Sequence, residues 1–226
     1  MERVTAACAR SGRSPESVRV VAVSKTFSVD AVCQAYEAGA RLFGENYLQE
    51  ALPKIAEFQA RVPDPDVSWH FVGSLQSNKA KKAAPVFSLI HSLDRWSLAK
   101  ELDKAAKQIG CPVETLVEVN IGGEETKSGC PSEKLLPFLR QISENTSLVV
   151  RGLMAFPPYP EHGEESRPYF VKTRELVEEA RSLQLPRIQM KEISMGVTSD
   201  YEIAVEEGAT LVRVGTAIFG MRAKRA

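Results

Sequence analysis

Short apolar runs separated by segments of helical period recur eight times along this chain of 226 residues, and that alternation restricts the fold more than any other feature. The first run, 18–24 (VRVVAVS), is apolar on both faces apart from Arg19, as a strand buried inside a parallel sheet must be. Further runs follow at 40–46, 68–73, 86–92, 113–121, 148–155, 187–196 and 210–215. Between them, Ser28 is placed to cap a helix with Val29, Val32, Cys33 and Tyr36 on one side and Gly39 as its stop. Leu48, Ala51, Leu52, Ile55 and Phe58 mark the next helix, and a short basic helix over 77–84 ends before Pro85. Asp94 is expected to cap a helix whose apolar face carries Leu98, Leu102 and Ile109 and which Gly110 closes. Pro131 and Ser132 open another through Leu135, Leu136, Leu139 and Ile142; two more span 166–183 and 200–207.

The residues up to Gly12 add a helix ahead of the first strand, and no linker, repeat or low-complexity tract interrupts the rhythm. An α/β fold is therefore expected, a single (β/α)8 TIM barrel forming one domain over 1–226. An open doubly wound sheet is the alternative, because alternation alone does not show closure.

Lys and Arg total 29 against 29 Asp and Glu, so the formal charge is zero. A nucleic-acid or anionic-membrane binder would need a basic excess, and neither partner is expected. No apolar run approaches the roughly 18 residues of a membrane span, and MERVTAACARSGR lacks the apolar centre of a signal peptide. Cys8, Cys33, Cys111 and Cys130 are scattered without a CxxC pair or Cys/His cluster, which favours reduced cytoplasmic thiols over zinc or disulfides.

In a barrel, function collects where the strands end at their C-termini. Those ends carry Ser24-Lys25, Glu45-Asn46, His70, His91-Ser92, Asn120, Met154, Ser194-Met195-Gly196 and Gly215-Thr216. A lysine after an apolar strand is ordinarily a surface residue. One held partly out of water has a lowered pKa and is present as the free amine that condenses with aldehydes. A pyridoxal-phosphate imine and a class I aldolase imine both fit Lys25 at this point. SMGVTSD (194–200) and RVGTAIFG (213–220) each set glycine beside a hydroxyl just after a strand, an arrangement suited to phosphate, although ordinary tight turns look the same. Arg213 shares a strand face with Leu211 and Gly215. If that face looks inward, a pyridine nitrogen is one partner for it and a salt bridge to Glu118 or Glu192 is the other.

Taken jointly, AVSKT (22–26), FGENYLQE (43–50), WHFVGSLQSNK (69–79), NIGGEETKSG (120–129), RGLMA (151–155), SMGVTSD and VRVGTAIFG resemble the pyridoxal-phosphate homeostasis protein family, also called the YggS or PROSC family. The likeness runs from about Val20 to Gly220. It departs at Val197 and Thr198, where the family usually reads SMGMS. The resemblance implies a fold type III barrel similar to the N-terminal domain of alanine racemase. It implies a cytoplasmic monomer that binds pyridoxal 5′-phosphate (PLP) without strong catalytic activity and keeps PLP, and indirectly amino- and keto-acid pools, in balance; apo PLP-dependent enzymes would be its recipients. Lys25 would carry the cofactor as an aldimine, Ser194, Gly196, Gly215 and Thr216 would hold its phosphate, and Arg213 would face the ring nitrogen. Asn46 and His70 would line the ring pocket. An amino-acid racemase or decarboxylase is the alternative function, but only GMRAKRA follows Phe219, so the second, β-rich domain of such enzymes is expected to be absent.

Lys79, Lys81 and Lys82 read as a solvated helix face, and His162 as an exposed loop residue. Glu124-Glu125 reads as loop surface, and the resemblance in NIGGEETKSG implies that it shapes one rim of the mouth.

Overall fold

In the computed structural model the described residues are 1–124, 126–160 and 162–221. Glu125, half of the acidic pair expected at the rim, lies outside them, as does most of the tail after Phe219.

The eight expected strands are present as β1 (Arg19–Val23), β2 (Leu42–Glu45), β3 (Ser68–Phe71), β4 (Leu89–Leu93), β5 (Glu114–Asn120), β6 (Val149–Ala155), β7 (Ile188–Ser194) and β8 (Leu211–Val214). Every pairing is parallel and joins neighbours in sequence, β1 with β2 through to β7 with β8. The pairing of β8 with β1 then closes the ring, with Val21 opposite Arg213. The sheet is a barrel, and the open-sheet alternative falls. One addition was not expected: Cys130–Pro131 pairs alongside the end of β5.

Around the barrel run α1 (Glu2–Arg10), α2 (Val29–Glu37), α3 (Leu48–Arg61), α4 (Ala80–Ala83), α5 (Trp96–Ile109), α6 (Leu135–Asn145), α7 (Arg167–Ser182), α8 (Tyr201–Glu206) and α9 (Thr216–Phe219). Ser28 accepts the Ala31 N–H and caps α2 as its position requires. Asp94 does not cap α5. The helix starts two residues later, after an extended Arg95, and the carboxylate is engaged by the Arg95 guanidinium, which also donates to the Leu75 carbonyl. β4 likewise starts later than expected, because Val86 and Phe87 still donate to the Ala83 carbonyl and prolong the turn. The extra helix α1 buries Val4, Ala7 and Cys8 and ties to α8 through Arg3–Glu202 and Arg10–Glu206 ion pairs.

Strand alternation divides the apolar residues into two compartments. Val21, Val23, Leu89, Leu116, Met154 and Leu211 fill the inside of the barrel. The larger cluster, with Ala22, Phe43, Trp69, Ile90, Val117 and Val212, lies between the strands and the helices. The inner filling gives way to polar side chains toward the C-terminal ends of the strands, and there the barrel opens.

Candidate functional site

A cavity of about 430 Å³ occupies that mouth, within the range of small-molecule sites. Lys25, Asn46, Glu118, Arg213, Gly215 and Thr216 are among the residues that line it. Lys25 stands two residues past the end of β1 and is half-buried. Asn46 follows β2, and its side-chain oxygen is buried with no donor among the described residues.

Arg213 points inward, as it must with Leu211 on the same strand face and inside the barrel. Its guanidinium donates to Ser194 Oγ at 2.7 Å and to the Ala155 carbonyl at 3.0 Å. Neither carboxylate considered from sequence forms an ion pair with it among the described residues: Glu192 pairs with Arg19 at 2.6 Å, and Glu118 acts on it only through its field. Burial lowers the Arg213 pKa to about 10, with Glu118 and Asp200 opposing, so the group stays charged at neutral pH.

Two expected pocket residues are placed elsewhere. Ser194 is fully buried, and its oxygen is taken by Arg213 and by His91 Nδ1 at 3.0 Å. His70, 4% exposed, lies beyond His91, with its Nδ1 2.9 Å from His91 Nε2. Both belong to a buried row, His70–His91–Ser194–Arg213, beneath the cavity, and neither lines it. Burial holds the pKa of His70 down at about 3 and that of His91 well below normal, so both rings are neutral beside the cation. Where Ser194 was expected, Thr198 and Ser199 offer hydroxyls to the cavity. Gly196 lines a small recess beside it with Arg213 and Asp200. Its φ of +86°, and the 2.5 Å that would separate an added Cβ from Ala204, leave room for glycine alone.

Sequence reasoning weighed Glu118, a half-buried carboxylate on β5, only as a salt-bridge partner for Arg213. Burial, then the nearby Asp94, raise its pKa to about 7, with Arg213 and Arg95 opposing. It also missed a polar group behind Lys25, centred on Lys54, Glu45 and Glu50. The available signal was Lys54 itself, a charge between Ala51 and Phe58 on the apolar side of a helix.

The fold and the site together define a class: a parallel barrel whose mouth sets an amine and a buried guanidinium around one small-molecule cavity. The sequence matches the family described as alanine racemase, N-terminal domain, over residues 5–223. It is 41% identical to the pyridoxal phosphate homeostasis protein of Aquifex aeolicus over 222 residues, 98% of this chain and 95% of that one. The protein of the same name from Escherichia coli K12 is 37% identical, with 98% and 93% covered. The structure of PipY from Synechococcus elongatus with PLP bound superposes with a TM-score of 0.83 at 40% identity, over 97% of this chain and 99% of that one. An alanine racemase from Bartonella henselae shares the fold alone, at 16% identity and a TM-score of 0.65, over 97% of this chain and 59% of that one. This chain belongs to the alanine racemase N-terminal-domain family and, within it, to the pyridoxal phosphate homeostasis proteins.

Proposed function

We propose that this protein holds PLP in the barrel mouth, with Lys25 as its amine anchor, and acts in the homeostasis of that cofactor. The observation that carries the reading is one cavity that brings Lys25 and Arg213 together with a hydroxyl- and glycine-bearing end at Thr198, Ser199, Gly215 and Thr216. The residues fit the ligand. When bound, PLP supplies an aldehyde that a primary amine captures, forming a carbon–nitrogen bond and releasing the carbonyl oxygen as water.

Lys25 provides the amine, and the loops after β7 and β8 hold the phosphate. Arg213 has N–H groups beyond the two already used, and it donates to the pyridine nitrogen. A permanently charged donor there leaves the ring unprotonated, which suits retention better than catalysis at the α-carbon of an amino acid. Asn46 offers its unpartnered oxygen to the ring side.

The chain acts as one domain, supported by a barrel that uses strands from both its halves. It delivers PLP to apo enzymes that need it; an open mouth with exposed Phe156 and Tyr159 supports that step. Four cysteines without a disulfide accord with a place in the cytoplasm, and the monomeric state rests on the family likeness.

The test compares PLP with pyridoxal, which lacks the phosphate, on Thr216→Ala. Loss of a hydrogen bond to a charged acceptor, roughly 1.5–3 kcal/mol, lowers PLP affinity by about ten-fold or more and leaves pyridoxal unchanged. Equal losses for both ligands would remove Thr216 from the phosphate.

A further inference from the structure

Lys54 lies in the body of α3, away from the cavity lining, and is only 7% exposed. A buried ammonium needs partners. Lys54 donates to the Ser24 carbonyl at 2.8 Å, to Glu45 Oε1 at 2.8 Å and to Glu50 Oε1 at 2.7 Å. The same oxygens reach further. The Ser24 hydroxyl donates to Glu45 Oε1 at 2.7 Å, and the Thr26 backbone N–H donates to Glu50 Oε1 at 2.5 Å. The residues before and after Lys25 are thus both tied, from outside the barrel, to one buried cation. Thr26 is held at a φ of +68°, a region that a β-branched residue seldom adopts unless its surroundings impose it.

We propose that Lys54, acting through Glu50 and Glu45, is a positioning residue for Lys25: it locks the backbone on both sides of that lysine so that its amine stays at the cavity wall. The inference rests on the reading of Lys25 as the amine that meets the aldehyde. The network grips the β1 end and not the loops after β7 and β8. Its loss therefore slows bond formation between the Lys25 nitrogen and the aldehyde carbon, with water leaving, for PLP and pyridoxal alike. Binding of pyridoxine 5′-phosphate, which carries an alcohol in place of the aldehyde, is unaffected.

Lys54→Met strands the buried Glu45 without its cation and risks unfolding, so the decisive variants are at Glu50, whose side chain is 30% exposed. Glu50→Ala removes the acceptor of the Thr26 N–H and leaves Lys54 its other partners. Glu50→Gln retains an acceptor. The experiment follows imine absorbance by stopped flow after mixing with PLP, and measures pyridoxine 5′-phosphate affinity by fluorescence titration. Glu50→Ala is expected to form the imine about ten-fold or more slowly, with its pyridoxine 5′-phosphate affinity within about two-fold of the parent, and Glu50→Gln to recover the parent rate. A parent-like rate in Glu50→Ala, or a parallel loss of pyridoxine 5′-phosphate binding, overturns the positioning role. Lys25→Ala separates the two readings. If it still gains the imine absorbance, the amine is misassigned and the proposal falls with it; if it does not while Glu50→Ala is unimpaired, only the positioning role falls.

Discussion

Arg213 is a charged group in a place where charge is costly, and its neighbours reflect that. Ser194 and the Ala155 carbonyl accept hydrogen bonds from it, and the two imidazoles beyond Ser194 are kept neutral by burial, so the row adds no second cation. Glu118 in the same mouth behaves differently. Its pKa in the folded protein, about 7, lies above the ordinary carboxylate value of 4.5, with burial as the main cause. A group raised in this way contributes stability that is complete below about pH 4.5 and is lost as the pH rises through about 7. Glu118→Gln removes that loss. The variant is expected to be more stable than the parent above pH 7, by on the order of 2 kcal/mol, with the gap closing toward pH 4.5; thermal unfolding at a series of pH values checks it, and a gap independent of pH would contradict it. At this scale the sequence pointed to Lys25 and Arg213, which both line the cavity, because a charge on or just after an apolar strand stands out. It misplaced His70 and Ser194, since alternation with period two says which side chains point inward and not how deep they lie.

Elements were legible wherever a local signal decides them. The apolar periodicity of α3, the Ser28 cap and the Gly110 stop all appear as read. Where tertiary contacts decide, the reading slipped. The start of α5 follows the hold of Arg95 on Asp94 and Leu75, and the start of β4 follows a turn onto Ala83. The approach of β6 to β7 was also hidden in the sequence. The register shifts between Val150 and Gly152, and a Cβ built on Gly152 would stand 1.8 Å from the Glu192 carbonyl oxygen. The obstacle is backbone and not a side chain that can rotate away. Gly152→Ala is therefore expected to destabilise the fold by about 3 kcal/mol, seen as a lower urea midpoint with an unchanged slope. An unchanged midpoint would mean that the two strands part at no cost.

Across the whole molecule, eight strand–helix units gave the architecture and the family motifs pointed to the proposed ligand, while closure itself became visible only in the pairing of β8 with β1 and β4 with β5. Closure places β1 beside β8, and so brings a lysine near residue 25 to an arginine almost 190 residues further on. All the motifs that carry the family likeness except NIGGEETKSG contribute a residue to the cavity, because the strands that bear them end on the same side. The polar group behind Lys25 escaped notice because its members come from the turn after β1, from β2 and from α3, and no single stretch of sequence shows them together. The proposed retention of the cofactor turns on one atom, the Lys25 Nζ. Its most direct test is to load the protein with PLP, reduce with borohydride and map the modified peptide by mass spectrometry, with Lys25→Ala alongside. The adduct is expected on Lys25, and the variant is expected to lose the imine absorbance while still binding the phosphate-bearing ligand weakly. An adduct on another lysine, or an imine band that survives in Lys25→Ala, would contradict the account.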